Sequence, residues 1–306
     1  MAYRLSIADD VPGSVRRCAH EQLAGAIREL ERAGDDPVAA IHQARKHLKK
    51  ARALLRLVRP ALGKDAYRRE NDALREAARA LSSTRDADVL AQTAATLAGH
   101  GVGRVPAEAI EELRAALEAE AAAGREHGGD ASALTPVLEA LRAADLRVER
   151  WPLDGADRDT VLAGAVRAYA RGREAFAVAR AEPTPELLHA WRKRAKDLWY
   201  HQRLLGPAWP PVLKAYAQEA HRLTELLGDD HDLAGLAERL AAPAPPLPLL
   251  VAARSDALLA LAEHRREQLR TEATQLGRRV YAESPKAFSR RLGRWLDVAR
   301  AEQREA

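Results

Sequence analysis

IHQARKHLKKARALLRLVRP, residues 41–60, and LHAWRKRAKDLWYHQRLLGP, residues 188–207, are one segment written twice. At a fixed offset of 147 residues, His42 meets His189, Arg45 meets Arg192, Lys46 meets Lys193, Lys49 meets Lys196, Arg56 meets Arg203 and Pro60 meets Pro207. After a one-residue deletion the register continues at 146, pairing Arg68 with Lys214, Arg75 with His221, Leu81 with Leu227, Asp86 with Asp232 and Leu90 with Leu236. Self-similarity over so long a period means a chain built from two related halves. One reversal of charge stands inside the register: Lys50 answers to Asp197.

Both copies read as amphipathic helices. At about 100° per residue, Ile41, Ala44, Leu48, Ala51, Leu55 and Val58 share one side, and the cations share the other. Leu188, Trp191, Ala195, Leu198 and Leu205 repeat the apolar side. The rest of the chain agrees with an all-α fold: Ala, Leu, Arg and Glu dominate, β-branched and aromatic residues are scarce, and the 18 Gly and 16 Pro fall mainly between segments. The first half, residues 1–157, is expected to form helices near 14–33, 37–59, 64–82, 86–98, 106–126 and 133–148. Their stops are Gly34, Pro60 with Gly63, Ser82-Ser83-Thr84, the Gly99 to Gly103 turn and Gly128-Gly129. The second half, residues 158–306, opens after the Trp151 to Gly155 turn, with helices near 158–181, 184–205, 210–227, 230–241, 249–282 and 285–303, and APAPPLP as a linker. Short connections between such helices predict antiparallel bundles.

The lone Cys18 excludes an internal disulfide and a four-cysteine zinc site, and fits a reducing compartment, so the cytosol is expected. No stretch reaches the roughly 18 apolar residues of a membrane span, and MAYRLSIADDV lacks the layout of a signal peptide. Net charge is +5, the difference between 49 basic and 44 acidic side chains, so the placement of charge carries the information and the total does not. Few acids interrupt the two rows. A solvated helix face ordinarily mixes signs, because like charges one turn apart destabilise it by about 0.2–0.5 kcal/mol per pair. Here that repulsion is kept twice, which points to an anionic partner. Arg and Lys donors match phosphate oxygens, the one as a fork and the other as a point charge. The next helix adds Arg68, Arg75 and Arg79 in one half, and Lys214, His221 and Arg222 in the other.

Other signals point elsewhere and are weaker. His42 and His189 have Arg and Lys one turn away, which repel a metal cation, so they read as phosphate donors that strengthen as pH falls through about 6.5. His231-Asp232 spells the dipeptide of metal-dependent phosphohydrolases, yet its register partner is Arg85-Asp86 and no companion ligands are evident. Asp86 and Asp232 read instead as braces at the start of the fourth helix of each half. Trp191 lies on an apolar side and belongs to the core; Trp199 and Tyr200 border the basic face, but their counterparts Arg52 and Ala53 cannot stack on bases. That weighs against single-stranded nucleic acid. No nucleophile with its base, carboxylate pair or metal cluster is visible, so a catalytic site, a metal and a cofactor are not expected.

IHQARKHLKKARALLRL, LHAWRKRAKDLWYHQRLL, STRDADVL, GDDHDLAGL and GRRVYAESPKAFSRRLGRW together resemble the CHAD domain, the conserved histidine alpha-helical domain, from about residue 10 to 300. The resemblance implies two pseudo-twofold-related bundles, a central basic channel that binds inorganic polyphosphate, and association with polyphosphate granules in the cytoplasm. Carried over by position, the ligands are His42, Arg45, Lys46, Lys49 and Arg56 with His189, Arg192, Lys193, Lys196 and Arg203, while Arg278, Arg279, Lys286, Arg290 and Arg291 reach toward the channel. The ExExK motif of the CYTH domain, to which such domains are often fused, is absent from the sequence. Polyphosphate fits on physical grounds, since it carries about one charge per internal phosphate and no bases, and its binding should weaken steeply with salt, as backbone binding does in nucleic acids. An RNA-binding module is the second reading, and a metal-dependent phosphohydrolase built on His231 and Asp232 the third.

Overall fold

A computed structural model describes residues 3–6, 10–34, 36–81, 86–100, 105–128, 134–242 and 247–305. Every regular element among them is helical: α1 (Val11–Glu31), α2 (Pro37–Leu57), α3 (Arg59–Ala80), α4 (Asp86–Ala98), α5 (Ala107–Gly128), α6 (Thr135–Val148), α7 (Arg158–Ala181), α8 (Pro185–Leu204), α9 (Pro210–Ala241), α10 (Leu249–Ala252), α11 (Ser255–Val280) and α12 (Pro285–Glu305). Starts follow the expected chemistry. Asp10, Asp36, Asp157 and Thr184 accept backbone N–H groups of Gly13, Ala39, Thr160 and Leu187 at 2.7, 3.0, 2.8 and 3.3 Å, each cap worth about 1 kcal/mol.

Three boundaries differ from the sequence expectation. α9 does not stop at 227 and restart at 230; it runs unbroken through Gly228-Asp229-Asp230, so Asp232 stands inside a helix and braces no helix start. The segment expected at 249–282 divides at the Ala253-Arg254 turn into α10 and α11. α3 starts early, at Arg59, with Pro60 in its first turn where a missing N–H costs nothing. Its break falls at Gly63, whose φ of 71° needs a residue without Cβ. The Ser82-Ser83-Thr84 cap, residues 101–103 of the Gly99 to Gly103 turn, Gly129, most of the APAPPLP linker and the side chain of Asp86 lie outside the described residues.

α1, α2, α3 and α6 pack together, and α7, α8, α9, α11 and α12 form the second assembly. α4 and α5 pair with each other and rest on the far part of α9, where a Cβ on Gly235 would sit 3.7 Å from Leu90 and Glu120 takes the Arg239 guanidinium. Trp191 is buried in the second assembly against Phe176, ring centroids 5.0 Å apart, and Tyr169 stacks on Phe288 at 4.1 Å. Truncating such an aromatic core residue costs about 3–5 kcal/mol. The assemblies meet where α2 touches α8 and α7. There the Leu57 carbonyl comes so close to Gly164 that any Cβ would lie 1.7 Å from it. The N-terminal segment joins them too, with the Leu5 N–H donating to the Leu204 carbonyl at 2.8 Å.

Candidate anion-binding groove

Periodicity puts the two basic rows on the outer faces of α2 and α8, and the contact between those helices fixes how the rows are arranged. His201 Nε2 lies 2.9 Å from the Ala53 carbonyl, Arg56 Nη2 lies 2.7 Å from Asp197 Oδ1, and Lys50 neighbours Arg203. As one residue number rises the other falls, so the helices run antiparallel where their C-terminal halves touch. The N-terminal members therefore lead away in opposite directions: His42, Arg45, Lys46 and Lys49 to one end, His189, Arg192, Lys193 and Lys196 to the other. The rows lie end to end and do not face each other, as two opposed rows would.

Several members have internal partners. Arg45 Nη1 donates to the Leu81 carbonyl at 3.0 Å, at the end of α3, and the equivalent Arg192 lies across Gly228, where a Cβ would meet its Nη2 at 2.7 Å. Arg56 is held by Asp197, whose side chain is 7% exposed, while 22% of the Arg56 side chain stays exposed. His189 stacks on His231 with centroids 4.3 Å apart. Burial first, then His231, Lys193, Arg192 and Lys196, push His189 down to about 4, so at neutral pH it is uncharged. The expected titration near 6.5 is thus displaced.

One large cavity, about 1190 Å³, opens between α1 and α2 on one side and α8 and α9 on the other. Arg4, Arg28, His47 and Lys50 line the first wall; Trp199, Arg203, Lys214 and His221 line the second. Burial, then Arg203 and Lys46, lower the Lys50 ammonium below its ordinary value. The Arg203 guanidinium stands 5.7 Å from the Tyr3 ring centre and 5.6 Å from that of Trp199. Trp199 is itself stacked on Tyr200 at 4.5 Å and met edge-on by His221 at 4.0 Å. His221 Nδ1 also lies 3.2 Å from Glu225.

Of the cations that sequence assigned to the ligand, Arg203, Lys214 and His221 line this cavity, beside Trp199. Arg68 and Arg75 are exposed on α3, with Arg75 3.4 Å from Asp72. Arg290 is exposed on α12, while its neighbour Arg291 is bound by Glu283 and lies 4.3 Å over Trp295. Neither lines the cavity. Lys50 faces an aspartate in the register, Arg4 and Arg28 have no cation at the matching position, and His47 answers to Arg194 but lies off the row that the other pairs form. His231 and Asp232 lie apart from the large cavity, and Asp232 borders a smaller one of about 300 Å³ with Asp88 and Asp229. Burial, then Asp232, raise Asp229. Among the described residues no group of three His, Cys, Asp or Glu side chains is placed to hold a metal ion, and no helix is long and apolar enough to cross a membrane.

An all-helical chain of packed bundles with a large cavity between them is the class that fold and site define. The sequence profile of the CHAD domain matches residues 17–241, and the chain belongs to that family. Among solved structures, the CHAD domain from the plant Ricinus communis is similar, with a TM-score of 0.58 at 18% identity over 93% of this chain and 96% of that one. No curated protein matches the chain in sequence.

Proposed function

We propose that the chain binds inorganic polyphosphate, a linear polyanion, and holds it without cleaving it. The cavity carries this reading, because five cations, Arg4, Arg28, Lys50, Arg203 and Lys214, line one space beside the contact of α2 with α8, against two carboxylates, Glu21 and Glu225. A polymer seated there reaches both rows, one at each end, which suits a long chain with the same chemistry in either direction. Each phosphate neutralised releases counterions, so affinity should fall linearly with salt on logarithmic axes. On this reading His42, Arg45, Lys46, Lys49, His189, Arg192, Lys193 and Lys196 of the rows and Lys50, Arg203, Lys214 and His221 of the cavity contact the ligand, and Arg56 stays with Asp197. In the cell the same reading expects the protein at polyphosphate granules in the cytoplasm.

Calorimetric titration with long-chain polyphosphate at several salt concentrations tests the reading against a variant carrying Arg203→Glu and Lys214→Glu. The variant should bind at least about tenfold more weakly and lose about one unit of salt slope per cation removed. Unchanged affinity places the site elsewhere. Preference for RNA at matched charge favours the nucleic-acid reading. Trp199 offers little for base stacking, since Tyr200 and His221 already cover it. Metal-dependent phosphate release that disappears in His231→Ala would overturn binding without cleavage.

A further inference from the structure

The register of α2 with α8 contains one reversal of charge, and the fold brings that reversal to the centre of the groove. Lys50 and Asp197 match, as do Arg56 and Arg203. Antiparallel contact sets each arginine against the other copy's odd residue. On one side Arg56 meets Asp197 at 2.7 Å, with Arg194 Nη1 3.4 Å from the second carboxylate oxygen. On the other, Lys50 and Arg203 are neighbouring cations on the cavity wall. Related positions thus hold a satisfied ion pair at one place and an excess of positive charge at the other. The Asp197 carboxylate is almost fully buried and takes donors from two arginines, the arrangement a phosphate oxygen would accept.

We propose that Asp197 is a built-in stand-in for a phosphate group: it occupies the anion position on the Arg56 side, so the polymer docks only along the Lys50 and Arg203 side. This rests on the polyanion reading above. Duplicated rows would otherwise offer two equivalent sites at the crossing. An internal carboxylate is already held in place, so an external phosphate competes poorly for Arg56 and Arg194. The ligand's path is therefore one-sided although the sequence is doubled.

The test uses the full chain, long-chain polyphosphate and calorimetry over a range of salt, comparing wild type with Asp197→Asn and Lys50→Asp. Asp197→Asn should release the Arg56 side, tighten binding by about fivefold and steepen the salt slope by about one unit. Lys50→Asp should give Arg203 the carboxylate partner that Arg56 already has, and weaken binding at least about tenfold. Equal affinity in Lys50→Asp and wild type overturns the proposal while leaving polyphosphate binding intact. Wild type that binds no polyphosphate overturns both. Where Asp197→Asn fails to fold, judged by circular dichroism, Lys50→Asp decides, because its half-buried site tolerates a polar change.

Discussion

In the first half α3 ends at Ala80 and α4 starts afresh at Asp86, whereas the matching residues of the second half run through one helix from Pro210 to Ala241. Both copies carry poor helix formers there, Ser82-Ser83-Thr84 in one and Gly228-Asp229-Asp230 in the other. What differs is the company. α11 lies along α9, and its Arg266 and Arg270 donate to Asp230 Oδ1 at 3.2 and 2.9 Å; Asp230 is 1% exposed. A carboxylate held in this way fixes its stretch of backbone as helix. α4 instead turns with α5 onto α9, and Arg45 donates to the Leu81 carbonyl at the end of α3. Where α9 continues, the equivalent arginine lies across Gly228.

Removing the clamp should have the largest effect. Asp230→Ala removes two charge-assisted hydrogen bonds at once, leaves Arg266 and Arg270 with Glu263 alone, and should cost about 3 kcal/mol in chemical denaturation. A loss below about 1 kcal/mol would mean that local propensity, not the clamp, keeps α9 whole.

Acid asks whether the broken and unbroken halves melt together, because His201 of α8 is fully buried against the Ala53 carbonyl of α2. Burial holds it at about 4, below its ordinary value. The unfolded chain, near 6.5, binds the proton more readily, so this contribution is complete above about pH 6.5 and lost as pH falls toward 4. By pH 5 it should amount to about 2 kcal/mol, a slope that His201→Asn removes. Separate unfolding steps for the halves in acid would show them coming apart at this contact.

Two smaller changes refine the contrast. Arg45→Ala removes a charged donor from the Leu81 carbonyl and should cost about 1–2 kcal/mol. Gly228→Ala should shift stability by less than about 1 kcal/mol, because a better helix former offsets the displacement of a flexible arginine end. A large loss in the second, read by thermal melting, would make Gly228 a structural necessity.

The groove was only partly legible in sequence. Arg203, Lys214 and His221 were found through their pairing, since duplication marks them as more than solvated surface. Lys50 was visible as a mismatch, and its value depends on Arg203 arriving from another helix. Arg56 looked equal to Arg203 because a register compares residue types and is blind to the carboxylate each one meets. His189 kept its expected place but not its expected charge, because burial and neighbouring cations are properties of the packed chain.

By itself the sequence determined the all-helical class, nearly every helix, the buried sides of α2 and α8, and the family resemblance. All of these depend on periodicity and local hydrogen bonding over a few residues. The tertiary structure alone decided that α9 continues where α3 stops, that the basic rows lie end to end, and that Asp197 balances one side of the crossing while Lys50 charges the other. Each of those is settled by a contact between residues far apart in the chain, where burial and the sign of the nearest charge fix what a side chain does.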